Sequence, residues 1–203
     1  PFENDSRYQQ LSMGTATSYF PDHKKYFESL NLDYIIHFAA ESHVDNSIKG
    51  PKKFIDTNII GTFNLLEIFK DVNIKKFIHV STDEVYGDAK NEDSFTEKSI
   101  INPSNPYSAT KAAADQLILA WARTYKINYV IVRPTNNYGI GQYVEKLIPK
   151  ACKSLTLGRR IPLHNQGTPF RNWLHAKDTA SGVVKIIESN VKNEIFNIAG
   201  GFE

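Results

Sequence analysis

Residues 75–81, KKFIHVS, decide the reading of the fold. The run is short, β-rich and apolar at consecutive positions, which suits a strand covered on both faces rather than one half open to water. Two runs of the same kind lie to either side of it, residues 33–38 (DYIIHF) and 127–133 (INYVIVR). Helix-length segments, residues 51–73 and 106–126, separate the three. Strands alternating with long helical patterns predict βαβ crossovers and a doubly wound α/β parallel sheet. A shorter helix over residues 22–30, capped by Asp22 after Pro21, leads into the first strand. Further helices are expected over 143–157 and 178–188, and a last strand over 194–198. The loop over 87–105 is long enough to suggest a function beyond connection.

The 203 residues carry 24 Lys+Arg against 22 Asp+Glu, a formal charge of +2. No strong field recruits nucleic acid or an anionic membrane, and Arg159-Arg160 reads as a solvated helix end. Hydrophobic residues at 41% and charged residues at 23% describe a chain able to bury a core rather than a disordered one. The longest apolar stretch, residues 117–122, falls far short of the ~20 residues that cross a bilayer. With no signal segment at the start, a cytoplasmic protein is expected. The single cysteine, Cys152, excludes an internal disulfide and reads as a packed thiol without a partner base. The six histidines show no metal-ligand spacing, so no metal is expected.

Both long helical segments are apolar almost all round. A helix that merely caps a sheet needs one apolar stripe, so the second face predicts a homodimer packed through residues 51–70 and 106–125. The eleven glycines form no GxGxxG or GxxGxxG spacing, the turn that opens a dinucleotide fold. The expectation is therefore a fragment lacking its first Gly-rich βαβ unit and most of a C-terminal substrate domain.

The residues that carry chemistry cluster at strand ends. In PSNPYSATK, residues 103–111, Asn105 can cap a helix that starts at Pro106. Tyr107 then falls in the first turn and Lys111 one turn later on the same face. A phenol of pKa ~10 becomes a base near neutrality when a nearby ammonium and a helix N-terminus stabilise its anion. At the end of the second strand, Ser81, Thr82, Asp83 and Glu84 put hydroxyls beside two carboxylates, a natural division into one acid and one base. After the first strand, Ala39 and Ala40 leave room for a flat cofactor. Thr57-Asn58 and Gly61-Thr62 follow in the crossover helix, and Asn136-Asn137 follow the third strand. Each cluster alone also fits a turn, a cap or a satisfied buried amide. Four of them at consecutive strand ends or crossover-helix starts argue for a site where open α/β sheets bind ligands.

The stretches HFAAESHVDNSI, TNIIGT, HVSTDEVYG, NPYSATKAAAD, RPTNNYG and EKLIP, in this order over residues 37–149, resemble the extended short-chain dehydrogenase/reductase family. Within it they are similar to the nucleotide-sugar 4,6-dehydratases of the dTDP-glucose type. The TDE triplet resembles the dehydratases in particular. The resemblance implies a Rossmann-type sheet and NAD as cofactor. It implies one partial epimerase/dehydratase domain over residues 1–203, with the start of the substrate-binding part within about 143–203. It further implies that Tyr107, helped by Thr82, removes a sugar 4-hydroxyl proton, that Lys111 tunes Tyr107 and holds the nicotinamide ribose, that Glu84 takes the C5 proton, and that Asp83 protonates the departing C6 hydroxyl. By the same resemblance Ala39, Ala40, Thr57, Tyr107, Lys111 and Asn137 touch NAD. Ser42, Thr82, Asn136, Glu145, Lys146, Leu147 and Arg171 meet the sugar nucleotide, where a guanidinium suits a diphosphate. The chain departs from the family pattern at Ile140-Gly-Gln-Tyr-Val144, at Leu163-His-Asn-Gln-Gly167 and at Arg171-Asn-Trp173. Those departures leave the sugar nucleotide open among thymidine and uridine diphosphoglucose and an N-acetylglucosamine nucleotide. An epimerase or decarboxylase of the same family, or an inactive chain serving as an assembly partner, are the alternatives.

Overall fold

A computed structural model of the chain describes residues 21–89, 94–161, 167 and 170–201. The stretch before residue 21 and most of the 163–167 departure lie outside the described residues. Four strands, β1 (Tyr34–His37), β2 (Lys76–Val80), β3 (Tyr129–Pro134) and β6 (Glu194–Ile198), form one parallel sheet in the order β1-β2-β3-β6. Register pairs His37 with His79 and Val80 with Val132, so the strand ends that carry the polar clusters lie side by side. A second, two-stranded parallel sheet joins β4 (Asn136–Tyr138) to β5 (Trp173–His175).

Alternation along β2 and β3 sends side chains to two separate cores. Phe77 and Ile131 pack with Leu66, Phe69 and Ile118 on one face, while Ile78, Val130 and Val132 pack with Val183 on the other. The helices α4 (Gly61–Phe69) and α5 (Pro106–Tyr125) cover the first face, and α7 (Ala176–Glu188) covers the second. Each fully buried Phe or Ile of these layers contributes roughly 1.5–3 kcal/mol. That two-sided cover is the doubly wound arrangement expected from the sequence.

Several boundaries differ from expectation. The described part of helix α1 (Pro21–Ser29) already includes Pro21, so Asp22 lies inside it and is not its cap. β1 is at the edge of the described sheet, with Ile36 and Phe38 exposed rather than interior. The segment expected as one helix over 51–73 is α3 (Pro51–Phe54), a π-helical segment (Ile55–Ile60) and α4. The helix α6 (Leu147–Thr156) buries none of its residues, and Cys152 on it is exposed, not packed. Leu147 and Leu155 on it stay exposed, a condition that composition does not reveal. The two apolar faces read as a dimer surface partly cover one another, since Phe63 meets Trp121 edge to face at 5.8 Å. Ile55 and Ile60 stay exposed. No helix among the described residues is long and apolar enough to cross a membrane.

Candidate active site

The catalytic candidates converge because α5 starts where β2 ends. Asn105 accepts from the Ser108 amide, Ser108 returns the bond to the Asn105 amide, and Pro106 occupies the first turn, which fixes the helix start to one residue. Tyr107 and Lys111 both end up buried. After β2 the chain turns through a 3₁₀ helix (Asp83–Tyr86) capped by Thr82, whose hydroxyl accepts from the Glu84 amide. Gly87 closes that turn at φ +82, and a Cβ there would run into the Asn102 carbonyl, so the returning loop can lie against it. Asn102 donates from its amide to the Val85 carbonyl at 3.0 Å, and Asn105 donates to a Glu84 carboxylate oxygen at 3.2 Å. The long loop therefore ties the acid pair to the cap of the tyrosine helix.

The electrostatics are uneven. Burial, reinforced by the Glu84 charge, pushes the Asp83 carboxyl up to about 6, against a hydrogen bond from Thr82. Burial and then the Glu84 charge raise the Tyr107 phenol above its usual range, and a Thr82 hydrogen bond works the other way. Burial lowers Lys111 to about 8, with Asp115 opposing. Lys111 donates to the Val80 carbonyl at 2.9 Å and meets His79 Nε2 at 3.2 Å. Its ammonium is thus held by the floor of β2 one turn beyond Tyr107. Beneath it Asp115 accepts from Arg133 Nε and lies 3.0 Å from Arg133 NH2, a buried fork that Tyr86 extends by accepting from NH1 at 2.7 Å.

The remaining sequence candidates divide. Ala40 is half-buried and Ala39 exposed beside the end of β1. Ser42 and Lys146 meet, with Lys146 Nζ donating to the Ser42 carbonyl at 2.7 Å, and Glu145 accepts from Asn46 at 3.3 Å. Burial lowers the Lys146 ammonium, with Glu145 and Glu84 opposing. Asn136 follows β3 and is half-buried. The Asn137 side chain turns into the fold, donating to the Thr135 carbonyl and accepting from Thr179 at 2.6 Å. Leu147 and Arg171 are exposed, and the Arg171 guanidinium donates to the adjoining Phe170 carbonyl at 2.6 Å instead of joining the cluster.

Two further residues, Asn58 of the Thr57-Asn58 cluster and Ser47, set this geometry. Asn58, 1% exposed in the π-helical segment, accepts from the Glu41 amide and donates to both the Glu41 carbonyl and the Thr110 hydroxyl. It joins the loop after β1 to α5. Ser47 on α2 (Val44–Lys49) is fully buried and accepts from the Tyr107 amide at 3.1 Å. The signal was the spacing of Asn58 and Thr62 on one face, with Thr62 Oγ1 donating to the Asn58 carbonyl. Among the described residues no cluster of His, Cys, Asp and Glu could hold a metal ion.

The site fits an oxidised nicotinamide in donor chemistry. A buried phenol next to two carboxylates needs neighbouring positive charge to ionise, and the Lys111 ammonium has one N–H beyond its bonds to Val80 and His79. Small residues at the end of β1 leave room for a flat ring.

Comparison with known proteins identifies the family and the fold. The sequence profile of the NAD dependent epimerase/dehydratase family matches residues 16–199. The chain is 42% identical over 187 residues to the dTDP-glucose 4,6-dehydratase of Haemophilus influenzae, covering 87% of this chain and 55% of that protein. It is 47% identical over 158 residues to that of Mycobacterium tuberculosis, covering 77% and 47%. Among solved structures, the DesIV double mutant, a dTDP-glucose 4,6-dehydratase from Streptomyces venezuelae with NAD and DAU bound, superposes with TM-score 0.91 at 36% identity, over 100% of this chain and 61% of that one. A UDP-glucuronic acid 4-epimerase from Bacillus cereus, in complex with UDP-glucuronic acid and NAD, also gives 0.91 at 28% identity, over 98% and 62%. The chain spans about half the length of the curated relatives it matches.

Proposed function

The chain belongs to the NAD dependent epimerase/dehydratase family, and from that premise we propose that the protein dehydrates a nucleoside-diphosphate hexose of the dTDP-glucose type to its 4-keto-6-deoxy form. The observation that carries this reading is the acid pair. Asp83 and Glu84 stand within electrostatic reach of Tyr107, and Thr82 donates to Asp83 at 3.2 Å. An epimerase needs a base at the hydroxyl and no second acid-base pair, so the two carboxylates favour elimination.

NAD, when bound, supplies a hydride acceptor for C4 and returns the hydride at C6. Every proton is moved by the chain's own residues. Tyr107 takes the proton of the 4-hydroxyl while Thr82 shares its hydrogen bond, and the Lys111 ammonium favours the phenolate. A ketone at C4 acidifies the C5 hydrogen, which Glu84 removes. Asp83, whose raised pKa keeps a proton available near pH 6, delivers it to the departing C6 oxygen, and water leaves; as hydride reaches C6, Glu84 gives its proton back to C5, which completes the 4-keto-6-deoxy sugar. Ala39, Ala40, Thr57, Tyr107, Lys111 and Asn137 surround the cofactor. Ser42, Thr82, Asn136, Glu145, Lys146, Leu147 and Arg171 serve the sugar nucleotide, with Arg171 turning toward the diphosphate on binding. The working form is a homodimer packed through α3 to α4 and α5, a reading supported by the exposed Ile55 and Ile60.

The test is mass spectrometry of thymidine, uridine and guanosine diphospho-hexoses after incubation with the full-length protein and NAD. Loss of one water from one member is expected and names the substrate. An isomer of unchanged mass would move the protein to the epimerases.

A further inference from the structure

We propose that His79 is the positioning residue of Lys111: its imidazole, neutral with the proton on Nδ1, offers the Nε2 lone pair that fixes the ammonium under the site. The inference rests on the reading of Lys111 given above and assigns a task to a residue that reading leaves idle.

His79 is 0% exposed in the middle of the sheet, and its Nε2 lies 3.2 Å from Lys111 Nζ. An ammonium has three N–H groups and no lone pair, so at this contact the imidazole accepts. Only a neutral ring has a lone pair to give, and giving it from Nε2 leaves the proton on Nδ1. That Nδ1 finds no protein partner among the described residues. A Leu or Phe at the same place in β2 would leave no buried donor unpaired, so packing alone disfavours histidine here. The contact that offsets this cost is the one to Lys111. With the Val80 carbonyl at 2.9 Å, two acceptors from one strand hold the ammonium and leave one N–H for whatever binds above it.

The surroundings keep the ring neutral. His37 on β1 faces it with ring centroids 4.9 Å apart, and its own Nε2 contacts the Thr62 hydroxyl. Lys111 and Asp115 face it from α5, with an Asp115 oxygen 3.8 Å from Nε2. Arg133 on β3 grips the other Asp115 oxygen, at 3.0 Å from both Nε and NH2. The carboxylate is thereby committed to the guanidinium instead of drawing a second proton onto His79. Burial and the Lys111 charge hold both imidazoles far below their usual pKa, His37 at about 3.

Two measurements on the full-length protein test the proposal. Nitrogen-15 NMR of the His79 side chain should show Nδ1 protonated and Nε2 bare from about pH 6 to about pH 7.5, where Lys111 is an ammonium, with the Nε2 resonance moved by Lys111→Met. A protonated Nε2, or one indifferent to Lys111→Met, would overturn it. In turnover of dTDP-glucose with NAD, His79→Leu should lower kcat by about tenfold or more with little change in KM. The acid limb of its kcat/KM profile should move to higher pH, because a displaced ammonium helps Tyr107 ionise less. His79→Gln, which keeps an acceptor oxygen, should recover most of the loss. A His79→Leu enzyme with a lower melting temperature and an unmoved limb would show a role in packing alone. If the unsubstituted protein removes water from no thymidine, uridine or guanosine diphospho-hexose, the functional reading fails, and the NMR result still decides the role of His79.

Discussion

Burial, and then the charge of the adjacent Glu84, raises the cost of ionising Asp83. Its folded pKa, about 6, lies above the ordinary 3.8. The protonated form therefore favours the folded state below about pH 3.8, and that advantage is lost as pH rises through about 6. At neutral pH the folded protein carries a penalty that an uncharged amide would not. Asp83→Asn is expected to raise stability at pH 7.5 by on the order of 1–3 kcal/mol in urea melts, with a much smaller gain near pH 4, while dehydration collapses. An equal gain at both pH values would contradict the burial argument. Glu84→Gln should leave C4 oxidation and stop elimination, so reduced nicotinamide should accumulate in absorbance; unchanged turnover would refute Glu84 as the base. Thr82, Asp83, Glu84, Tyr107 and Lys111 were legible in the sequence because cap, helix spacing and strand end constrain them locally. His79 was not, because in an apolar strand a histidine reads as filler until the side chain facing it is known. Cys152 was misread for the converse reason: the sequence shows that α6 is amphipathic but not whether anything covers it.

At the scale of elements, the site is held by how α5 is joined to the loop after β1. Asn58 makes three hydrogen bonds to Glu41 and Thr110 from within a π-helical turn. π turns are rare, short and frequent at functional places. Asn58→Ala removes the side chain and leaves the half-buried Glu41 amide and carbonyl and the buried Thr110 hydroxyl without this partner, so it should cost about 1–3 kcal/mol in urea denaturation. Thr57→Ala, on a half-buried position of the same turn, should change stability far less. Equal costs at the two positions would undo the role given to Asn58. The strands were legible because parallel strands are apolar on both faces. The π turn was not, since its i→i+5 bonding has no compositional signature and the apolar pattern of residues 51–73 suits an unbroken helix as well. The edge position of β1 was likewise hidden, because apolar composition says a strand wants cover and not which element supplies it.

For the molecule as a whole, parallel pairing places the carboxyl ends of β1, β2, β3 and β6 on the same rim, and Thr82, Asp83 and Glu84 follow the end of β2 there. The exposed Ile55 and Ile60 next to α5 set the expected assembly. Sedimentation equilibrium of the full-length protein should return twice the chain mass, and a mass equal to one chain would contradict the dimer. The central claim is elimination following oxidation at C4, and deuterium at that carbon tests it most directly. Given dTDP-glucose deuterated at C4, with NAD, the protein should release a product lighter by one water with the deuterium at C6. A product of unchanged mass with the deuterium still at C4 would contradict the account.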